Sequence, residues 1–455
     1  MSAYHNYPAS TFSLKSLALQ GRYAVILIVR VPTRNPYPWV GAGSSKLLYR
    51  EGGYWIWNPA VRGGDFMELP LTDPFISLAI ILFISKAFGY LFTRIKQPSA
   101  MGEIIGGIII GTSFLHLIDI GESLQFLSEL GVVMLLFLAG LETDIDEFKR
   151  VGVPAFLIAI GGVLVPFVLG YFATLPFTHS PMTSLFLGGV LTATSVSLTA
   201  SVLMEMKKLR TKEGASILAA AVVDDVLGII VLTVLVALSR TGSINLEEIL
   251  KLLVEVTAFF VLVIIVGVPV VKWIIRVSSK IDLPETTTAF ALAIVMSLAF
   301  IAEEFRVAGI TGAYLAGLLI GQTDEAKRIS DKMTTIAYAL PVPVFLVGIG
   351  IHTNIDVFYK YGFSTLALIG VYATIAVFGK IVGCGAGALL SKFKPEEALR
   401  VGIGMIPRME VALIMLTIAK GEGIFNDIFF AIGVSMTIIT TLITPPLLVW
   451  AFRRK

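Results

Sequence analysis

The chain is organised as a series of apolar segments separated by short polar ones. Most of these segments are about 17–25 residues long, the length that an α-helix needs to cross a bilayer, and several others are shorter or rich in glycine. The pattern predicts an all-α polytopic membrane protein with 13 transmembrane helices. The predicted spans are 75–93, 100–117, 126–141, 151–175, 182–204, 214–238, 252–275, 285–303, 307–321, 333–351, 363–391, 396–419 and 427–450.

Basic residues between the spans support this number and set an orientation. Loops after odd-numbered spans, together with the C-terminus, carry 20 Lys and Arg residues, whereas loops after even-numbered spans carry five. Because Lys and Arg gather in cytoplasmic loops, the strict alternation predicts an N-terminus outside and a C-terminus in the cytoplasm. A missed or extra span would break the alternation from that point onward. We expect a multi-pass protein of the plasma membrane, which encloses the cell.

Composition excludes several classes of protein. Hydrophobic residues make up 56% of the 455 residues and charged residues 15%, against about 25% charged residues in soluble domains. This excludes a soluble enzyme, a disordered chain and a nucleic-acid binder. The single cysteine, Cys384, excludes an intrachain disulfide and a cysteine metal cluster. The glycines of Gly383–Ala388 lie inside an apolar span and favour helix packing over dinucleotide binding, and the P-loop motif is absent. We therefore expect no cofactor, no ATP-driven step and no enzymatic activity.

Residues 1–66 do not follow the charge pattern, because they would lie outside while carrying seven basic residues. Their longest apolar run, Tyr23 to Val29, is too short to span a membrane, and no small-residue cleavage site follows it closely. Met67 stands directly before Glu68-Leu-Pro-Leu-Thr-Asp-Pro, a stretch typical of the approach to a first span. Our hypothesis is that 1–66 is a doubtful extension of translated upstream sequence and that Met67 is the native start. A genuine extension outside the membrane is the alternative.

The sequence contains an internal repeat at an offset of 210 residues. Gly102, Gly107 and Gly111 correspond at this offset to Gly312, Gly317 and Gly321. A second match, in the form Thr-x-Ile-Asp-x-Phe, relates Thr143, Ile145, Asp146 and Phe148 to Thr353, Ile355, Asp356 and Phe358. The offset equals seven spans, an odd number, so the two copies cross the membrane in opposite directions. Inverted repeats are typical of secondary transporters, whose substrate site lies near mid-membrane between the repeats.

Charged residues at membrane depth mark the candidate site. Each costs about 2.5–3.5 kcal/mol on insertion scales, so such residues are rarely structural. Asp224 and Asp225 are adjacent in the middle of the sixth span, and Lys380 in the eleventh span is the natural partner for one of them. Arg408 and Glu410 lie midway along the twelfth span. Neighbouring residues on a helix point about 100° apart, so the two aspartates can face different partners.

Two spans are predicted to be interrupted at this depth. The fifth span contains the polar stretch Thr192–Thr199, and the repeat offset relates its start to Gly402–Met405, just before Pro407 in the twelfth span. Unwound backbone in corresponding spans exposes carbonyls and helix ends that can ligate a cation or neutralise charge. Ser and Thr hydroxyls that bond back to their own helix are the simpler explanation for either span alone.

From Met67 onward the chain resembles the monovalent cation:proton antiporter-2 family, which includes sodium/proton antiporters and the membrane domains of Kef-type potassium efflux systems. The Asp-Asp pair resembles the sodium/proton branch, because the potassium branch usually has Gln-Asp. The matching segments are Gln97–Ile105, Leu136–Asp144, Thr192–Ser195, Asp224–Asp225, Gly379–Lys380 and Gly404–Glu410.

The resemblance implies roles for these residues. Asp225 would alternately bind a cation, Na⁺ or Li⁺, and a proton. Asp224 would belong to the same ion- and proton-binding set: it would form a salt bridge with Lys380 and could carry a second proton when that pair breaks. Thr194 and Ser195 would line the crossing of two discontinuous helices, with Arg408 and Glu410 supporting the core. The fold would comprise a core (about 151–240 and 361–455), a dimerisation panel (about 75–142 and 285–356) and a linker helix (about 247–280), assembled as a homodimer in the lipid bilayer.

We therefore expect a secondary transporter that exchanges Na⁺ (or Li⁺) for H⁺ by alternating access. A potassium/proton antiporter of the same family and a cation channel using the same carboxylates are the alternatives. A symporter for an organic solute is disfavoured, since the site lacks the aromatic and apolar lining that such a ligand needs.

Overall fold

The computed structural model describes residues 13–19, 22–28, 48–51, 54–57, 73–111, 114–118, 120–143, 151–241, 246–353 and 363–453. Met67 and the Ile-Asp-x-Phe parts of the repeat endings lie outside these residues, as does the side chain of Glu410. The chain divides into two compact units, Met1–Leu69 and Pro70–Lys455.

The first unit contains two antiparallel hairpins. Strand β1 (Ser13–Leu19) pairs with β2 (Arg22–Ile28), and β3 (Leu48–Glu51) pairs with β4 (Tyr54–Trp57). The all-α prediction is therefore wrong for this segment. The run Tyr23 to Val29 is rich in β-branched residues, which favour strands, and two glycines separate the last two strands in the sequence, as in many tight hairpins.

The second unit is helical. Its helices are α1 (Pro74–Arg94), α2 (Ser99–Ile110), α3 (Glu122–Glu142), α4 (Gly152–Thr178), α5 (Pro181–Val190), α6 (Val196–Glu205), α7 (Lys212–Thr241), α8 (Leu246–Leu262), α9 (Val268–Ser278), α10 (Thr286–Glu304), α11 (Gly309–Ile320), α12 (Ala326–Ala339), α13 (Pro341–His352), α14 (Phe363–Leu390), α15 (Pro395–Gly404), α16 (Glu410–Gly421) and α17 (Asp427–Arg453). A π-helical turn, Val263–Gly267, joins α8 to α9.

Helix lengths agree with a polytopic membrane protein. Among the described residues, nine continuous or nearly continuous helical stretches are long and apolar enough to cross a membrane. Shorter helices occupy the other four predicted spans: α2 and α11 lie singly, whereas α5–α6 and α15–α16 are interrupted pairs. The predicted span 333–351 begins too late, because the helix starts at Ala326 and is broken at Leu340, immediately before Pro341. Proline favours the first turn of a helix, where no N–H is required.

The helices pack in two groups. In the first group, α1, α2 and α3 pack with α10, α11, α12 and α13; in the second, α4, α5, α6 and α7 pack with α14, α15, α16 and α17. The closest packing in the second group joins α4 to α14, where a Cβ added to Gly161 would lie 2.1 Å from the carbonyl oxygen of Gly383. The segment formed by α8, the π turn and α9 contacts α7 at one end and α10 and α11 at the other.

Repeat-related glycines make matching contacts in the first group. A Cβ on Gly102 would lie 2.3 Å from the carbonyl oxygen of Phe88, and one on Gly312 would lie 2.2 Å from that of Leu298, which is Phe88 shifted by the repeat offset. The same correspondence relates the approach of Gly107 to Val347 and that of Gly317 to Phe137. Such reciprocal contacts are what two copies related by a two-fold axis produce.

Candidate functional site

The two helix interruptions meet inside the second group. Helix α5 ends at Val190 and α6 begins at Val196, while α15 ends at Gly404 and α16 begins at Glu410. The backbone N–H of Ser195 donates a hydrogen bond of 2.8 Å to the carbonyl oxygen of Pro407. Pro407 has no N–H with which to continue a helix. The four helix ends are thus brought to one place.

Arg408 neutralises the carbonyl-bearing end of one of these half-helices. Its side chain is fully buried, and its Nε and Nη2 atoms donate to the carbonyl oxygen of Leu191 at 3.2 and 2.9 Å. Its Nη1 atom donates to the carbonyl oxygen of Ile406 at 2.7 Å. The C-terminal end of α5 carries partial negative charge, so a guanidinium is well placed there.

Lys380 and Asp224 form a buried ion pair beside the interruption. Their side chains are 0% and 1% exposed, and Lys380 Nζ lies 3.1 Å from Asp224 Oδ1. The same ammonium donates to the carbonyl oxygen of Thr192 at 2.7 Å. Gly162 on α4 packs beside this pair, where a Cβ would come within 2.4 Å of Cys384 Sγ. The lysine therefore ties the sixth predicted span to the unwound part of the fifth.

Asp225 faces a different neighbour. Its Oδ2 atom accepts a hydrogen bond of 3.1 Å from the hydroxyl of Thr311, at the start of α11. The carboxyl group borders a cavity of about 10 Å³ that is also lined by Thr311, by Tyr314 and by aliphatic side chains of α3, α6, α7 and α11. A cavity of that size holds about one water-sized sphere. The cavity is large enough for one bare cation and too small for an organic solute.

Two buried oxygen atoms near the interruption have no hydrogen-bond partner among the described residues, Thr194 Oγ1 and Asp224 Oδ2. Ser195 Oγ lies 3.0 Å from Ser197 Oγ. Buried polar atoms in proteins are normally paired, so orphaned oxygens at one place indicate a polar species that binds there. Within the described residues no group of three or more His, Cys, Asp and Glu side chains could hold a metal ion. The oxygen donors available are carboxylates, hydroxyls and carbonyls, which suit hard cations.

Of the predicted site residues, Asp224, Lys380, Thr194, Ser195 and Arg408 lie around the interruptions. Asp225 lies at the boundary with the first group, and Glu410 begins α16. Thr311 and Thr199 were not among the predicted site residues. The hydroxyl of Thr199 donates to the carbonyl oxygen of Gly404 at 2.7 Å. Thr199 is the last residue of the polar stretch already noted, and Thr311 stands directly before the repeat glycine Gly312 in a mostly apolar helix.

Contacts between the two helix groups also occur at the ends that carry the basic loops. Both carboxylate oxygens of Glu205, which ends α6, lie 2.8 Å from the backbone nitrogen of Ser99, which begins α2. Glu205 Oε2 also accepts from the Ser99 hydroxyl at 2.9 Å. Arg453 donates to the carbonyl oxygen of Lys96 at 3.0 Å. These bonds hold the two groups together on the side of the basic loops.

Comparisons with known proteins agree with this architecture. The family described as "Sodium/hydrogen exchanger, transmembrane" matches residues 79–454. The Na(+)/H(+)-K(+) antiporter GerN of Bacillus cereus is 37% identical over 381 residues, which cover 84% of this chain and 97% of GerN. The high-affinity Na(+)/H(+) antiporter NhaS3 of Synechocystis is 31% identical, covering 84% of this chain and 90% of NhaS3.

A solved structure supports the fold. The sodium proton antiporter MjNhaP1 of Methanocaldococcus jannaschii superimposes with a TM-score of 0.61 at 18% sequence identity, covering 83% of this chain and 96% of MjNhaP1.

Proposed function

Because the chain belongs to the sodium/hydrogen exchanger family of monovalent cation:proton antiporters, we propose that it exchanges Na⁺ for H⁺ across a membrane by alternating access. The observation that carries this proposal is the placement of Asp225, a buried carboxylate that faces a cavity about one cation wide beside two interrupted helices. The relatives GerN and NhaS3, both named as Na⁺/H⁺ antiporters, support the same reaction.

The chemistry follows from the cost of a buried charge. A carboxylate that is removed from bulk water is unfavourable as an uncompensated ion, so it binds either a proton or a cation. At Asp225 the two compete for one position, and movement of the site between the two membrane faces then exchanges one for the other. We propose that Thr194 and Ser195 supply further oxygen ligands, and that Arg408 and Glu410 support the interruption.

Asp224 has a separate role in this proposal. Its pair with Lys380 keeps one negative and one positive charge together within the core, so the net charge of the region changes only when Asp225 gains or loses its ion. The ammonium also holds the unwound segment through the carbonyl oxygen of Thr192. Asp224 thus supports the binding site through this pair, and its other oxygen, Oδ2, has no hydrogen-bond partner among the described residues.

We further propose the finer architecture that the sequence analysis predicts. It has 13 transmembrane helices, with the N-terminus outside and the C-terminus in the cytoplasm of a plasma-membrane homodimer. The α5–α6 and α15–α16 pairs are the discontinuous crossing helices of an inverted repeat, the second helix group is the moving core, and the first is the dimerisation panel. The segment from α8 to α9 links them. The contacts between packed helices and the reciprocal glycine contacts support this division.

Exchange of K⁺ for H⁺ is the second candidate, because GerN, a relative at 37% identity, is named for both ions. The two candidates share every residue described above, so only ion competition distinguishes them.

Reconstitution into liposomes with a trapped pH dye tests the proposal. Na⁺, Li⁺ and K⁺ are added in turn, and we expect Na⁺ and Li⁺ to move protons in the opposite direction. Asp225→Asn should abolish the signal, since the amide neither releases a proton nor balances a cation. Asp324→Asn, at an exposed loop carboxylate, is the matched control and should leave exchange unchanged. Full proton-coupled exchange by the Asp225 variant would refute the assignment, and ion flux without proton movement would indicate a channel.

A further inference from the structure

The hydroxyl of Thr311 connects the two helix groups at the carboxylate of Asp225. Thr311 is 3% exposed and Asp225 8%, and their oxygens lie 3.1 Å apart. Thr311 stands in the first turn of α11, which packs with α3 and α10, whereas Asp225 lies on α7 in the other group. Because the bond joins the two groups, a movement of one group against the other must break it or change the partner of Thr311.

The cavity beside Asp225 offers few other oxygens. Its remaining lining is aliphatic except for Tyr314, whose hydroxyl donates to Thr143 Oγ1 at 3.2 Å. Hard monovalent cations need several oxygen ligands, because they give up hydration water on entering a protein site. A threonine oxygen has two lone pairs and a rotatable hydrogen, so it can donate to a bare carboxylate and turn its lone pairs toward a cation that replaces that bond.

The two copies of the repeat differ at the position of Thr311. At the offset of 210 residues, the position of Thr311 corresponds to Met101 in the first turn of α2. A thioether is a weak acceptor and does not donate. Helix α2 begins beside the basic loops, and α11, its counterpart in the opposite direction, begins toward the other face. At the two positions related by the repeat, the first helix group therefore supplies a hydroxyl near one face and a thioether near the other. The Ser99 hydroxyl, also at the start of α2, is bonded to Glu205.

In this structure the Thr311 hydroxyl reaches the carboxylate of Asp225. In the same structure Glu205 and Arg453 hold the two helix groups together on the side of the basic loops. Resting on the proposed exchange activity, we propose that Thr311 is a cation ligand contributed by the first helix group, and that it raises cation affinity only when Asp225 faces away from the basic loops. Transport then has an intrinsic asymmetry between the two membrane faces.

Side-specific kinetics test this proposal. The KM for Na⁺ is measured in right-side-out vesicles, which present the face opposite the basic loops to added Na⁺, and in everted vesicles, which present the basic-loop face. Thr311→Val keeps the shape and removes the hydroxyl. We expect it to raise KM in right-side-out vesicles by about tenfold or more, the loss typical of a bond to a charged group, with little change in everted vesicles. Maximal rates should fall much less than affinity.

Three further variants make the result specific. Thr311→Ser retains the hydroxyl and should restore the wild-type KM, and Thr311→Ala should reproduce the loss if the valine does not fold. Thr323→Val is the matched control, because the Thr323 hydroxyl bonds to the carbonyl oxygen of Ile320 near the other end of α11. Equal KM changes on both faces, an unchanged KM or a lowered KM, each with active wild-type protein, would overturn the inference alone. An inactive wild type would instead refute the proposed exchange.

Discussion

The buried pair of Lys380 and Asp224 predicts that one substitution is damaging and that a second, at its partner, repairs the damage. Lys380→Met keeps the length of the side chain and removes the ammonium. Asp224, 1% exposed, is then left without its counter-charge, and the carbonyl oxygen of Thr192 loses a donor at 2.7 Å. Removing one member of a buried ion pair costs about 3–5 kcal/mol, because the remaining charge stays buried.

The double variant Asp224→Asn with Lys380→Met removes both charges of the pair. Replacing a buried pair by uncharged groups is often neutral or even stabilising, so we expect it to recover at least about 2 kcal/mol of the loss. Because the Asn side chain has nearly the shape of Asp, packing against the unwound segment is kept. The effect of the pair on stability can then be distinguished from its effect on transport, because the exchange rate of the stable double variant reports what the pair contributes to the reaction itself.

The measurement is the temperature at which half of the detergent-purified protein remains monodisperse after heating, for the wild type, both single variants and the double variant. Lys212→Met is the matched control, because Lys212 pairs with Glu397 at 3.4 Å while 42% exposed. Exposed pairs contribute up to about 1 kcal/mol, so this control should shift the midpoint little.

Two results would refute the reasoning. If Lys380→Met is as stable as the wild type, the charge of Asp224 is compensated by something other than Lys380. If the double variant loses the sum of the two single losses, the residues act independently, since coupled neighbours depart from additivity.

Two further predictions concern contacts made by single side chains. Arg408→Lys keeps the charge but not the planar fork that reaches both Leu191 and Ile406, so we expect the exchange rate to fall at least about tenfold; unchanged rates in the dye assay would exclude this role. Glu205→Ala removes the acceptor of the Ser99 amide, so hydrogen–deuterium exchange at the start of α2 should accelerate, and identical uptake in the variant would show that this contact does not hold the two groups together.

The helices were predictable because a bilayer-spanning helix leaves a long signal in one stretch of sequence. An apolar run of about 20 residues needs no tertiary information to be recognised. The interrupted pairs were also indicated, by the polar run that begins at Thr192 and by Pro407, each at a predicted mid-membrane position. The break before Pro341 was missed, because the apolar run continues through it and hides the change of helix.

The partners of the site residues were less predictable. Lys380 could be assigned to the aspartate pair because opposite charges at membrane depth must meet. The partners of Arg408 are backbone carbonyls, which every residue has, so no side-chain pattern in the sequence marks them. Thr311 is a single threonine in a mostly apolar helix, and only the packing of α11 on the neighbouring group shows that it reaches Asp225.

The adjacency of the two aspartates explains how one short sequence performs two tasks. Successive residues on a helix point about 100° apart, so Asp224 turns into its own helix group toward Lys380 while Asp225 turns to the boundary with the other group. A carboxylate inside the core keeps the same neighbours when the groups move, and its charge stays compensated throughout. A carboxylate at the boundary changes its surroundings with each movement, so its balance between proton and cation can differ on the two faces. The proposed exchange requires that difference, and Asp225 lies at the boundary where the proposed movement would produce it.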